Sequence, residues 1–206
     1  MSKALSDFYD YVMPELPGIT APLVDQHLLA VAREICERTG LWRESVSLVA
    51  EEDRLDYGLY APTARTEVTR VLRVSWGQVL QWCATEDPQN PEDHPRFTAD
   101  EPPFILDAAG ETVIFEVQPH GDIDILAALR PSLAAITLPN ILLTHHIEMV
   151  KRGVHSRLMR MGGKPWTDRD LAVDYGHDYD AFLNHAAMTA DNGNTRALLR
   201  SRRMKL

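Results

Sequence analysis

The spacing of apolar residues changes twice along this chain, and that change limits the folds it can adopt. Between Thr20 and Gly40, apolar residues recur every three or four positions, which is the period of an amphipathic helix. Between residues 45 and 132 they alternate, or form short β-branched runs bounded by Gly, Pro and Asp, which is typical of short strands. After Pro139 the helical period returns. We therefore predict a chain of the α+β class.

The first helix has recognisable ends. Thr20 stands at the N-cap position, Pro22 suits the first turn, and Gly40 is a natural C-terminal stop. Its apolar stripe consists of Val24, Leu28, Val31 and Ile35. Cys36 lies within this stripe, so we expect it to be a buried small residue. A helix with such a stripe has to pack against other elements.

Two further long helices are predicted after Pro139. The stripe of the first consists of Leu143, Ile147, Val150, Val154, Leu158 and Met161, and GGKPW (162–166) ends it. Thr167 is predicted to open the second, because Asp170 follows three residues later as in a capping box. The predicted inner face of the second helix consists of Leu171, Tyr175, Tyr179, Phe182 and Ala186.

These elements predict the domain organisation. One N-terminal and two C-terminal long helices form a helical bundle from residues 1–44 and 133–193, and residues 45–132 form a small antiparallel β subdomain inserted into it. Residues 85–103 hold five prolines and six acidic residues, which predicts an exposed acidic loop. Residues 194–206 are predicted to be an extended basic C-terminal tail.

Charge is distributed unevenly along the chain. The net charge is −9, and residues 194–206 carry five positive charges and no acid, which leaves −14 on the first 193 residues. An acidic body repels the phosphates of nucleic acids, whereas a basic tail can bind an acidic surface. We identify neither a secretory signal nor an apolar run long enough to span a membrane. With two cysteines, a reducing cytosol is the expected compartment.

The segment LLTHHIEMVKRGVHSRL (142–158) contains the most suggestive side chains. His145, Glu148 and His155 share the face opposite the apolar stripe, and these residue types bind zinc in small hydrolases. Their spacing, however, matches no known helical zinc signature. Arg152 also lies i+4 from Glu148, where it favours an ion pair and repels a dication. We therefore expect no metal, no cofactor and no catalytic residue, and we interpret this face as solvated or as a contact between subunits.

Ordered fragments along most of the chain resemble a known family. The fragments are MPELPGI (13–19), REICERTGLW (33–42), ALRPSLAAITLP (128–139), VKRGVHSRLMRMGGKPW (150–166) and the final helix. In this order they are similar to the head-to-tail adaptor (connector) proteins of tailed bacteriophages and prophages. The most specific part is GKPW after a helix that contains Arg152-Gly153 and Arg157-Leu158.

The resemblance implies a structural virion protein that is not an enzyme. It implies a homo-oligomeric ring of about twelve copies at the virion neck, made in the bacterial cytoplasm and without contact to a membrane. The portal protein would bind above the ring and the nozzle or tube protein of the tail below it. DNA would pass through the ring channel without sequence-specific binding.

Two sets of residues are expected to make these contacts. In the tail, the residues expected to bind the portal or another partner are Arg196, Leu198, Leu199, Arg200, Arg202, Arg203 and Lys205. The expected contacts between subunits are His145, Glu148, Arg152, His155, Arg157 and Arg160. Two alternatives stay open: a tail or baseplate completion protein, and, from a different class, a small metal-dependent hydrolase that uses the face of His145.

Overall fold

The structure, a computed structural model, describes residues 2–76, 79–83, 104–107 and 111–191. Helices and antiparallel sheets are both present, so the predicted α+β class is confirmed. The predicted acidic loop at 85–103 and the predicted tail at 194–206 lie outside the described residues.

The described helices and strands have the following bounds. The helices are α1 (Tyr9–Val12), which is flanked by 3₁₀ turns at Leu5–Phe8 and Met13–Glu15, then α2 (Ala21–Thr39), α3 (Asn140–Thr144), α4 (Ile147–Leu158) and α5 (Arg169–Asp191). The strands are β1 (Ser2–Ala4), β2 (Arg43–Val49), β3 (Asp56–Gly58), β4 (Thr66–Trp76), β5 (Val79–Cys83), β6 (Phe104–Leu106), β7 (Thr112–Phe115), β8 (Asp122–Pro131) and β9 (Thr137–Pro139). Within the described ranges, no helix combines the length and the apolar character that crossing a membrane requires.

Helix α2 begins and ends where its sequence predicts. Gly40 follows the last turn with a left-handed backbone (φ 58°), and its N–H donates to the carbonyl of Cys36 at 2.9 Å. Glycine adopts this conformation without steric cost, which explains the stop. Thr20 occupies the N-cap position, but its side chain makes no capping hydrogen bond. Cys36 is fully buried, as expected.

The single helix predicted after Pro139 is two helices. α3 ends at Thr144 and α4 begins at Ile147, with His145 and His146 between them. The break changes which residues of the second helix face the core, so the apolar stripe predicted for one continuous helix is only partly correct. Leu143 is half-buried, whereas the fully or almost fully buried apolar side chains of α4 are Met149, Val150, Val154 and Leu158.

Helix α5 begins one residue later than predicted. Its capping residue is Asp168, whose Oδ1 accepts from the N–H of Leu171 at 3.0 Å. Thr167 instead closes the preceding loop, where its hydroxyl donates to the carbonyl of Met161 and accepts from the N–H of Lys164. The inner face also differs from the prediction, because Leu183 is buried whereas the predicted Phe182 is 42% exposed.

Three antiparallel sheets are present in the described residues. The largest has the strand order β2-β8-β4-β5, the second has the order β3-β7-β6, and β1 pairs with β9. Phe104 lies opposite Phe115 in the pairing of β6 with β7. The sequence of residues 104–119 predicts a hairpin around Ala109-Gly110-Glu111, and this register confirms that its two strands pair, although residues 108–110 lie outside the described residues.

Two separate apolar cores hold these elements. The helical core takes its buried residues from 8–36 and 138–186, whereas the β core takes them from 46–125. At the centre of the β core, the ring of Phe115 meets those of Tyr57 and Trp76 edge to face, at centroid distances of 5.8 and 5.7 Å. Such aromatic pairs add to the stabilisation from burial. Helix α2 also contacts β8, so it lies between the two cores.

Candidate functional site

The six residues predicted as subunit contacts do not share one surface. α4 packs against α1, α2, α3 and α5, so its residues face several neighbours. His145, Glu148 and Arg160 are exposed. Arg152 and Arg157 are half-buried and reach α5 and α2 respectively. His145, Glu148 and Arg160 are therefore the members of the set most open to another subunit.

His155 is fully buried, so its predicted place on the outer face is wrong. Its Nε2 lies 2.8 Å from the carbonyl oxygen of Val12 and therefore carries the proton that it donates. Its Nδ1 then presents a lone pair to Glu15 Oε2 at 3.3 Å and makes no hydrogen bond. Burial lowers the pKa of His155 and outweighs the opposite effects of Val12 and Glu15. The cause of the burial is the segment 8–16, which covers this side of α4.

Glu15 is the centre of the first charged cluster, which comprises Glu15, Lys151, His155 and Tyr175 (the Glu15 cluster). Its carboxylate lies 2.5 Å from the Lys151 ammonium and accepts from the Tyr175 hydroxyl at 3.0 Å. The hydrogen bond from Lys151 is the main reason that the pKa of Glu15 lies below its usual value. The cluster ties the N-terminal segment to α4 and α5.

Arg152 contacts α5 rather than Glu148. Its guanidinium carbon lies 4.3 Å from the centre of the Tyr175 ring, and its Nε lies 3.7 Å from Asp178 Oδ2. Stacking on an aromatic face competes well with a solvated i,i+4 ion pair. The predicted pair is therefore absent, and Glu148 makes no hydrogen bond or ion pair with any described residue.

A second charged cluster joins α2, α4 and α5, and it comprises Glu34, Arg38, Arg157 and Tyr179 (the Glu34 cluster). Glu34 accepts from the guanidinium of Arg157 and, at 3.1 Å, from the hydroxyl of Tyr179. Arg38 reaches Glu34 at 3.3 Å. Burial, followed by the charge of Glu34, raises the pKa of Tyr179, so the phenol stays protonated as a donor.

A third cluster connects α2 to the β sheet, and it comprises Arg33, Glu37, Glu67 and Arg130 (the Glu67 cluster). Glu67 on β4 accepts from both terminal nitrogens of Arg33, at 3.3 and 3.2 Å, and from Nε of Arg130 at 2.9 Å. Arg130 also donates to Glu37 at 2.8 Å. Partial burial acts to raise the pKa of Glu67, but these two arginines bring it below its usual value. The cluster fixes the β part against α2.

An open groove of about 960 Å³ runs along the outer face of α2. The residues that line it are Leu5, Pro22, Asp25, Gln26, Leu29, Ala30, Arg33, Glu34, Glu37, Arg38, Arg130, Leu133 and Ala135. Its charged members belong largely to the Glu34 and Glu67 clusters. Its apolar rim includes Leu133, which is 78% exposed. A groove with fixed ion pairs and an exposed apolar rim is suited to binding a protein segment.

The structure buries or separates the candidate nucleophile and the candidate metal ligands. The thiol of Cys36 is fully buried, and burial raises its pKa to about 12, so it supplies no thiolate. The ligand set of the hydrolase alternative does not form, since His155 faces the interior while His145 and Glu148 face outwards. Across the described ranges, no three or more His, Cys, Asp or Glu side chains are grouped to hold a metal ion.

The three charged clusters could not be predicted from the sequence. Glu15 and Tyr175 are 160 residues apart, and Glu34 and Arg157 are 123 apart, so no local spacing connects them. No protein-family model matches this sequence, and no curated protein matches it.

Proposed function

We propose that this chain is the head-to-tail adaptor of a tailed bacteriophage or prophage, a structural protein of the virion neck. The observation that carries the proposal is the convergence of the fragments on which the family resemblance rests. They are far apart in the chain, yet charged contacts and one apolar core bring them together.

The contacts join each of the first three fragments to the fourth, VKRGVHSRLMRMGGKPW. Glu15 of MPELPGI pairs with Lys151 of VKRGVHSRLMRMGGKPW, and Glu34 of REICERTGLW pairs with Arg157 of that same fragment. Leu138 of ALRPSLAAITLP and Trp166 of GGKPW are buried in the same helical core. Residues that hold one unit together are those that a shared fold would need, which supports the resemblance.

The proposed architecture is a helical bundle with an inserted β subdomain and an extended C-terminal tail. About twelve copies would form a closed ring through head-to-tail contacts between neighbouring subunits. His145, Glu148 and Arg160 are the exposed members of the predicted contact set, so we assign the subunit contact to them.

The charge distribution suits both the DNA channel of such a ring and its contact with the portal. The acidic body, with a net charge of −14 over the first 193 residues, would repel DNA phosphates and allow DNA to slide through the channel. The basic residues of 194–206 would bind the portal protein above the ring, while the nozzle or tube protein of the tail would bind below it.

The experiment that tests the proposal is reconstitution with the portal protein encoded in the same genome. Portal rings and the full chain are mixed and sedimented, and the pellet is imaged by electron microscopy. We expect the chain to co-sediment and to add a ring of about twelve subunits below the portal. A chain truncated after residue 193 should lose most of this binding.

Two matched results decide the proposal. Ring formation on the portal should be weakened by Glu148→Arg, whereas Glu52→Arg, an exposed acid in the loop after β2, should leave it unchanged. The adaptor proposal fails if the chain does not co-sediment with portal rings. Binding to tail tube subunits instead would favour the completion protein.

A further inference from the structure

The groove along α2 is a surface feature of the described residues that the adaptor proposal does not use. Its α2 residues recur at positions 22, 25, 26, 29, 30, 33, 34, 37 and 38, so it follows one face of the helix over nearly its whole length. At about 1.5 Å per residue, the stretch from Pro22 to Arg38 is roughly 24 Å long. This is the length of a short peptide segment.

The end of α5 lies beside one end of this groove. Arg43 donates through Nη2 to the carbonyl of Ala190 and through Nε to the carbonyl of Gly40, both at 2.8 Å. Arg38, at the last groove position of α2, also reaches Asp180 at 3.5 Å. The C-terminal end of α5 therefore lies close enough to the C-terminal end of α2 for one arginine side chain to bridge them.

The chain beyond α5 is long enough to occupy the groove. Residues 192–206 comprise fifteen residues, which span up to about 50 Å when extended. That is about twice the length of the groove, so the segment reaches its far end even after a turn.

The chemistry of the two partners is complementary. The groove offers half-buried Leu29 and exposed Ala30 and Leu133, and the segment offers Leu198 and Leu199. The lining contains three acids and three arginines, and Glu67, which binds two of those arginines, adds a further acid. The groove therefore does not repel a segment that carries five positive charges, and the body around it is strongly acidic.

We propose that the groove along α2 is the docking site of residues 194–206 of the same chain, with Leu198 and Leu199 in its apolar part. This intramolecular binding does not depend on the adaptor role. If the adaptor proposal also holds, the segment has to leave the groove before it binds the portal, so an unassembled subunit keeps its portal-binding segment covered.

Peptide competition on the full chain tests the proposal. A dye-labelled peptide of residues 194–206 is titrated with the wild-type chain and with the double variant Leu198→Asp/Leu199→Asp, and anisotropy is measured. A tethered segment acts at an effective concentration on the order of 1 mM. For a peptide Kd on the order of 100 µM, the wild-type chain should therefore bind the peptide about tenfold more weakly than the double variant.

Matched variants separate apolar docking from charge and locate the site. Thr195→Asp/Ser201→Asp adds the same two charges but keeps both leucines, so it should behave like the wild type. In the Leu198→Asp/Leu199→Asp chain, Ala30→Arg should weaken peptide binding about tenfold, because it places a bulky cation in the groove. Ala181→Arg, on the exposed face of α5, is the control and should have no effect.

Each negative result has one meaning. Equal peptide affinity for the wild-type chain and the double variant would refute docking within the chain. Equal effects of Ala30→Arg and Ala181→Arg would refute the groove as the site. A concentration-dependent dimer in light scattering that Ala30→Arg abolishes would assign the groove to a second copy and overturn the proposal. Portal binding is measured separately, so the docking and adaptor proposals can fail independently.

Discussion

Gly153 lies where α4 packs tightly against side chains of α2 and α5, so replacing it by alanine should destabilise the protein. A Cβ at this position would lie 2.7 Å from Cε2 of Tyr179 and 2.8 Å from Cγ1 of Val31. Both neighbours are buried, and Tyr179 is also held by its hydrogen bond to Glu34. Neither can move without disturbing the helical core.

The magnitude follows from opposing effects. Alanine gains about 1 kcal/mol over glycine in a helix interior. Overpacking a core costs about 1–3 kcal/mol, and displacing Tyr179 weakens a hydrogen bond to a charged group that contributes about 1.5 kcal/mol. We expect Gly153→Ala to lower the free energy of unfolding by about 2 kcal/mol, which for a chain of this size lowers Tm by about 4–8 °C.

Gly176 supplies the matched control in the middle of α5. A Cβ there would meet only the end of the exposed Arg160 side chain, at 3.1 Å, and that side chain can move aside. Gly176→Ala should therefore stabilise the protein by up to about 1 kcal/mol. Chemical denaturation and thermal melts of both variants check the pair. The reasoning is refuted if Gly153→Ala is as stable as the wild type, or if both substitutions shift Tm in the same direction.

Three further outcomes are expected from other parts of the structure. Glu34→Gln should lower the free energy of unfolding in urea by on the order of 1 kcal/mol, because the partly exposed Glu34 cluster loses its negative charge. Glu148→Gln, at an unpaired exposed position, should leave it almost unchanged. Equal losses in the two variants would contradict the role of the cluster. In a Cys83→Ser chain, Cys36 should react with a thiol reagent only as fast as the protein unfolds, and rapid labelling of the native chain would show that the thiol is accessible. Because burial lowers the pKa of His155 in the folded state, the unfolded chain takes up a proton first as pH falls from about 7 to 5.5, so stability should decrease over that range. His155→Gln should flatten the plot of Tm against pH there, and an unchanged slope would argue against this origin.

Features that depend on neighbouring residues were predicted well. Gly40 ends α2 because its conformation is decided by the turn that precedes it. The β6–β7 hairpin follows from two alternating runs around a short turn signal. The burial of Cys36 follows from its place in an apolar stripe.

Predictions that required knowledge of the packing were less accurate. The choice between Thr167 and Asp168 as the cap of α5 depends on which side chain the preceding loop uses, and that loop takes Thr167. His155 lies beside Val154 on α4, and an amphipathic pattern assigns it to the outer face. The helix is covered on more than one side, so that pattern underestimates its buried arc.

By itself, the sequence determined the kind of element along most of the described chain, because hydrophobic period, caps and turns are decided within a few residues. The tertiary structure alone decided which charged side chains meet. Ion pairs such as Glu15–Lys151 and Glu34–Arg157 form between surfaces that only the packing of the helices brings together. The groove along α2 has the same origin, since α2 contributes one wall and the segment around Leu133 the other.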